Sequence, residues 1–260
     1  MFPGFYLFDK YISSYVLTSL AGIFTACPLA IYHYKKRGGN DISMIFVFLF
    51  GGIGCMFGMH LLYGITNIRQ WGSLFSAASF GDWLEAAQLI FGGGLIGGLA
   101  VGFLSIRYQK LDTAVVSDCA APSIALFHMF GRIGCFLGGC CYGVEWEHGV
   151  TFTNSLIESA NGVPRVPVQL YEAGLELALF LALTLLLVSG KLRGKLLAVY
   201  LLVYPVGRFL LEFWRGDEYR GFLFGLSTSQ LISIALFIGT IVFLAVSAVK
   251  KRRTPMPIEE

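Results

Sequence analysis

Apolar residues run along this chain in long stretches separated by short polar breaks. A helix that crosses a bilayer needs roughly 20 mostly apolar residues. Seven stretches approach or meet that length: residues 11–34, 43–63, 89–106, 114–130, 168–189, 196–214 and 228–249. The fourth is the shortest and passes into a glycine- and cysteine-rich stretch, H-M-F-G-R-I-G-C-F-L-G-G-C-C-Y-G at 128–143. Its helix is therefore expected to break or end near Gly131, since irregular backbone at membrane depth is tolerated only where protein buries it or where it lines a cavity. The pattern predicts an all-α integral membrane protein with seven transmembrane helices, a single membrane domain over 1–260.

Composition agrees. Hydrophobic residues make up 56% of the chain and charged ones 13%, whereas a soluble domain carries roughly 25% charged residues. The 32 glycines and the 15% of aromatic residues suit packed membrane helices with interfacial rings. Charge placement sets the orientation. Lys35, Lys36 and Arg37 follow the first span, Arg107 and Lys110 the third, Lys191, Arg193 and Lys195 the fifth, and Lys250, Lys251, Arg252 and Arg253 the seventh. Twelve of the 19 basic residues thus fall on ends that alternate to one side, which reads as N-terminus outside and C-terminus cytoplasmic. On the outer side, 64–88 carries Trp71, Phe75, Phe80 and Trp83 and suits a helix lying in the interface. Residues 144–167 are polar and read as a small extracytoplasmic cap, and 251–260 as a disordered cytoplasmic tail. No cleavable signal is expected, because residues 1–10 lack a basic n-region. Topology explains the basic residues, so nucleic acid is not an expected partner.

Charges inside apolar runs mark candidate chemistry, since an ionisable residue at membrane depth is costly. Arg132 stands between glycines in such a run. In the sixth span Arg208 and Glu212 are four apart, hence on one face with Tyr204. They form either a structural ion pair or an arginine oriented toward an anion, which the planar guanidinium suits. Pro205 should kink that helix. The fifth span opens with Gln169, Glu172 and Glu176 at i, i+3 and i+7, again one face; a first-turn acid would also complement the helix dipole. Gly92–Gly94 with Gly97 and Gly98 make a glycine face, read as tight helix packing or as backbone near a lipid head group. Asp118 could partner an arginine or stabilise a helix start. His128 reads as a hydrogen-bonded buried histidine or as a base.

Cys27, Cys55 and Cys119 sit in apolar runs and read as packed thiols. Cys135, Cys140 and Cys141 form C-x₄-C-C. A zinc site would want a second ligand pair at a typical spacing and none exists, so no metal is expected. A disulfide would need Cys135, because neighbouring Cys140 and Cys141 pair only with strain.

At these residues the chain resembles the prolipoprotein diacylglyceryl transferase family of bacterial membrane enzymes. The matching blocks, in order, are G-G-L-I-G at 93–97, V-S-D-x-x-A-P at 116–122, G-R-I-G-x-F at 131–136, P-x-Q-L-Y-E at 167–172 and R-F-x-x-E-F-x-R at 208–215. The resemblance implies transfer of a diacylglyceryl group from phosphatidylglycerol to the lipobox cysteine of a prolipoprotein, with release of glycerol phosphate, in the bacterial cytoplasmic membrane. It implies no cofactor. Arg208, Glu212 and His128 become the catalytic candidates; Arg132, Gly93, Gly94, Asp118, Gln169, Tyr171 and Glu172 become the substrate-binding ones. Bilayer, phosphatidylglycerol and prolipoprotein signal peptide are the implied partners.

The chain also departs from the family pattern. Gly92 stands where a histidine is usual, Cys135 and Gly138 replace asparagines, Cys140 replaces a glutamate and Tyr142 a tryptophan. A family arginine on the second span has only His60, in G-M-H-L at 58–61, as counterpart. The alternative reading is a divergent, non-catalytic membrane protein that binds lipid or lipoprotein.

Overall fold

The computed structural model of the protein describes residues 1–8, 10–66, 91–155, 157–217, 222–223 and 225–253. Among these residues lie seven α-helices: α1 (Ser14–Lys35), α2 (Asp41–Thr66), α3 (Phe91–Tyr108), α4 (Thr113–Gly138), α5 (Val168–Ser189), α6 (Leu196–Leu211) and α7 (Thr228–Arg253). Three antiparallel ribbons accompany them: β1 (Gly4–Leu7) with β2 (Lys10–Ser13), β3 (Glu145–Thr151) with β4 (Pro164–Arg165), and β5 (Phe222–Leu223) with β6 (Leu226–Ser227). Six helices are long and apolar enough to cross a membrane; the apolar part of α3, Gly93–Tyr108, is shorter. Their outward faces are greasy. On α7 alone Ile238, Ile241, Val242 and Phe243 are exposed, a surface suited to lipid rather than water. The proposed interfacial helix at 64–88 lies largely outside the described residues. Of the expected tail at 251–260, residues 251–253 belong to α7 and the rest lie outside the described residues.

Local chemistry sets the helix ends. Ser13 Oγ accepts the N–H of Tyr15 at the start of α1, Asn40 Oδ1 that of Ile42 at α2, and Asp112 Oδ1 that of Ala114 at α4. Each is a small polar residue satisfying a first-turn donor. A reciprocal capping box opens α7: Ser227 Oγ accepts from Gln230 N, and Gln230 Oε1 from Ser227 N. At the far end of α5, Gly190 takes φ 68° and closes the helix.

One expectation fails. The fourth helix does not break near Gly131 but continues to Gly138. A helical glycine costs only about 0.5–1 kcal/mol relative to alanine, and a continuous ladder satisfies backbone groups that a break would strand at depth. The helix ends one step later. Gly139, with φ 74°, donates to Phe136 O, and Cys140 N donates to Cys135 O, the paired bonds of a Schellman motif.

The described chain packs as two compact units. The first comprises Met1–Pro28 and Ala120–Glu260. In it an apolar cluster of Ala121, Ala125, Leu179, Leu183, Leu187, Leu196, Tyr200 and Tyr204 binds α4, α5 and α6 together. The segment after α4 has a small core of its own, Tyr142, Phe152 and Ala160. Gly143 is held there between two other strands of chain. Its N–H donates to Val166 O, Val144 N donates to Trp214 O, and Gly216 N donates to Tyr142 O.

The second unit, Leu29–Cys119, is dominated by α2 against α3. A Cβ on Gly58 would sit 2.2 Å from Gly93 O, and one on Gly97 2.2 Å from Gly54 O. Only glycine permits so close a backbone approach. The glycine face of α3 is therefore accounted for by packing on α2.

Candidate functional site

Three helical stripes in the first unit converge on one buried polar cluster. His128 and Arg132 stand four apart on α4. Gln169, Glu172 and Glu176 follow at three and seven on α5. Tyr200, Tyr204, Arg208 and Glu212 are spaced by four along α6 and its terminal 3-10 turn. These spacings stack side chains on one helix face. All nine residues are buried. The apolar cluster occupies the next turns of the same faces, so the three helices are zipped by hydrocarbon at one end and by charge at the other.

Glu172 is the centre. Its Oε1 lies 3.0 Å from Arg132 Nη2 and 3.6 Å from Arg208 Nε, and accepts from Tyr204 Oη at 3.2 Å. Arg208 is held from both sides: Nη1 lies 2.6 Å from Glu212 Oε2 and Nη2 donates to Ser229 Oγ of α7 at 3.0 Å. A second arm runs from Arg132. Its Nε donates to His128 Nε2 at 3.3 Å, while His128 Nδ1 lies 2.6 Å from Glu176 Oε1, which also accepts from Tyr200 Oη at 3.3 Å. Nε2 is thus the face turned to Arg132 and Nδ1 the face turned to Glu176. Tyr200 and Tyr204 stack in parallel, 5.5 Å between centroids, and His128 meets Tyr204 edge-on.

Isolated, any of these charges would be expensive to bury; paired, they are tolerated. The arrangement leaves carboxylate oxygen unused: Glu172 Oε2 and Glu176 Oε2 have no hydrogen-bond partner among the described residues, and neither does Gln169 Oε1. Gln169 Nε2 donates to Cys140 O at 2.7 Å, tying the cluster to the turn after α4. Beyond α6, Arg215 grips Asp217 through Nε–Oδ1 at 3.1 Å and Nη2–Oδ2 at 2.9 Å. Burial works against the Arg215 cation, but Cys141 and Asp217 outweigh it and hold its pKa above the ordinary arginine range. Burial likewise pushes the Asp217 carboxyl up, against the pull of Arg215.

Of the candidates named from sequence, Arg132, Arg208, Glu212, His128 and Glu172 meet in this cluster, with Gln169 at its edge. Of the remaining four, three belong to the second unit. Gly93 and Gly94 lie in the second unit, buried against α2. Asp118 is buried in that unit too. Tyr171 belongs to α5 but stands 47% exposed, away from the face that carries Glu172. Glu176 and Tyr204, which helix spacing puts on the faces of Glu172 and Arg208, join the cluster. Tyr200 and Ser229 are further members, and they carry no sequence signal that separates them from ordinary helix residues.

Comparison with known proteins places this geometry. The family model for prolipoprotein diacylglyceryl transferase matches residues 5–246. A phosphatidylglycerol–prolipoprotein diacylglyceryl transferase of Clostridium tetani is 36% identical over 244 residues, covering 92% of this chain and 95% of that protein. One from Clostridium perfringens, numbered 2, is 34% identical over 254 residues and 95% of each chain. One from Campylobacter curvus is 30% identical over 257 residues, 92% of this chain and 90% of its own. The match spans nearly the whole chain, and on that footing the chain belongs to the prolipoprotein diacylglyceryl transferase family.

Proposed function

We propose that the protein transfers a diacylglyceryl group from phosphatidylglycerol to the lipobox cysteine of a prolipoprotein. The observation that carries this is the approach of Arg132 and Arg208 to one carboxylate oxygen of Glu172, at 3.0 and 3.6 Å, inside a chain with six membrane-length helices. Two guanidinium groups held side by side by an internal anion are preorganised for an external one, the lipid phosphate. Glu212 and Ser229 fix the rotamer of Arg208; His128 and Glu176 fix that of Arg132. The prolipoprotein thiol gives up its proton, which ends on the departing glycerol phosphate or in water, its sulfur bonds to the glyceryl carbon, and the carbon–oxygen bond to phosphate breaks. Glycerol phosphate leaves with its growing charge on the two arginines. The clamp is drawn from α4, α5 and α6, with Glu172 at its centre and Gln169 at its edge. Packing on α2 suffices to explain Gly93 and Gly94, and Tyr171 faces outward.

The protein is set in the bacterial cytoplasmic membrane with its N-terminus outside, its C-terminus cytoplasmic and the segment 144–167 as an outer cap. The alternation of twelve basic residues to one side supports this orientation, and α3 makes the seventh crossing. The relatives carry the transferase name, which supports catalysis over a purely lipid- or lipoprotein-binding role.

The test is reconstitution of the purified chain with phosphatidylglycerol vesicles and a lipobox peptide, scored by thioether-linked lipid on the peptide and by released glycerol phosphate. Both products are expected from the wild type, and neither from Arg132→Ala or Arg208→Ala. Peptide capture without either product would overturn the reading in favour of a binding protein.

A further inference from the structure

The turn that ends α4 gathers three thiols that the transfer reaction does not use. The Schellman geometry folds Cys140 back over Cys135: Cys140 N donates to Cys135 O at 3.1 Å, and its thiol reaches the same carbonyl at 3.6 Å. Cys141 follows with φ 60°. A non-glycine residue in that left-handed region costs of order 1 kcal/mol or more and persists only where its surroundings enforce it. The outcome is that the sulfurs of Cys135, Cys140 and Cys141 all lie within 4.8 Å of one another. Cys135 is buried and the other two are half-buried.

Three sulfurs at that separation fit a metal ion better than they fit a disulfide. At a metal–sulfur distance of about 2.3 Å, a trigonal site holds its sulfurs about 4.0 Å apart, so side-chain rotations that close the triangle by under about 1 Å complete it. A disulfide must bring two sulfurs to about 2.05 Å and leaves the third outside. The supporting shell is already in place. Gln169 Nε2 donates to Cys140 O and Ser155 Oγ donates to Gly139 O, which hold the turn. The charge of Arg215 acts on Cys141 and would offset surplus thiolate charge. The ligand count also differs from what the spacing C-x₄-C-C conveys, because no second pair is needed when the turn itself supplies the third ligand.

We propose that Cys135, Cys140 and Cys141 form a three-thiolate site for a soft, thiophilic d¹⁰ cation of the Zn²⁺, Cd²⁺ or Cu⁺ class. Soft sulfur donors select such ions over hard ones. Binding one divalent ion forms three metal–sulfur bonds and releases three thiol protons, with no change of oxidation state. The site adjoins the arginine clamp through Gln169 but does not depend on the transfer reading.

The experiment uses the full chain in detergent, reduced and then freed of reductant without air, and titrates it with Cd²⁺ while following the sulfur-to-metal charge-transfer absorbance. One equivalent is expected to saturate the band. C27A/C55A/C119A should keep it, C135S/C140S/C141S should lose it, and each single serine variant should bind about tenfold or more weakly. Should the triple variant fail to fold, alkylation of the wild type with and without Cd²⁺, mapped by mass spectrometry, serves instead: Cys135, Cys140 and Cys141 should be protected together. An absent band in the wild type, a band that survives in the folded triple variant, or a disulfide between two of the three in protein alkylated directly in membranes would each overturn the proposal.

Discussion

His128 Nδ1 and Glu176 Oε1 lie 2.6 Å apart, tying α4 to α5 inside the cluster. With Nε2 accepting from Arg132 Nε, both ring nitrogens are engaged by the protein. We propose on this geometry that His128 holds Arg132 in place rather than taking a proton from a substrate. His128→Gln should therefore lower kcat/KM for lipidation by up to about a hundredfold, because it mispositions Arg132, while the shape of the pH–rate profile stays that of the wild type. Disappearance of an ionisation limb in the variant would instead identify His128 as the base.

Glu172 should be the least replaceable member of the cluster. Glu172→Gln keeps the shape but removes the charge that gathers Arg132, Arg208 and Tyr204. Breaking a buried pair from one side costs about 3–5 kcal/mol. Thermal unfolding in detergent should show that loss, and transfer should fall below detection. A variant as stable as the wild type would show that the arginines do not need their internal anion.

Two glycines near the cluster should respond in opposite ways. A Cβ on Gly131 meets nothing within 4 Å, whereas one on Gly143 would lie 2.4 Å from Val166 O and 2.8 Å from Trp214 O. Gly131→Ala should leave stability unchanged or raise it by about 0.5–1 kcal/mol. Gly143→Ala should destabilise by about 1–3 kcal/mol, because the obstructing atoms are backbone. Equal melting temperatures for the two variants would contradict the tight crossing at Gly143.

The second unit offers a check on the glycine face. Gly58→Val should separate α2 from α3 and cost about 1–3 kcal/mol, and Gly97→Val should do the same from the other helix. Proteolysis within the Leu29–Cys119 unit is the readout, and it should accelerate in both variants.

Helix existence was legible in hydropathy. The expected fifth span, 168–189, coincides with α5, and the first, second and sixth differ from their helices by only a few residues. Helix spacing also placed Glu172 and Arg208 on inward faces. The end of α4 was misread because glycine was taken as a breaker, when what stops the helix is the φ of Gly139, a property of backbone geometry that Gly131 does not share. The partner of the α3 glycines was hidden for a different reason. Gly54 and Gly58 are spaced like many glycines in apolar helices, and only their pairing with Gly97 and Gly93 gives them meaning. The three thiols stand out as C-x₄-C-C, but their convergence does not, because Cys141 adopts a left-handed conformation that no spacing rule foresees.

The distribution of ion pairs across helices has a consequence for biogenesis. Arg132–Glu172 and His128–Glu176 both join α4 to α5, neighbours in the chain, while Arg208–Glu212 closes within α6 and its terminal turn. Arg132, Arg208 and Glu212 thus find a counter-charge on their own helix or on the next one made, and Glu176 meets the His128 ring. A nascent α4–α5 hairpin can leave the insertion machinery with Arg132 already against Glu172, and α6 can follow carrying its own pair. The order of synthesis becomes part of how a charged core is built in an apolar solvent.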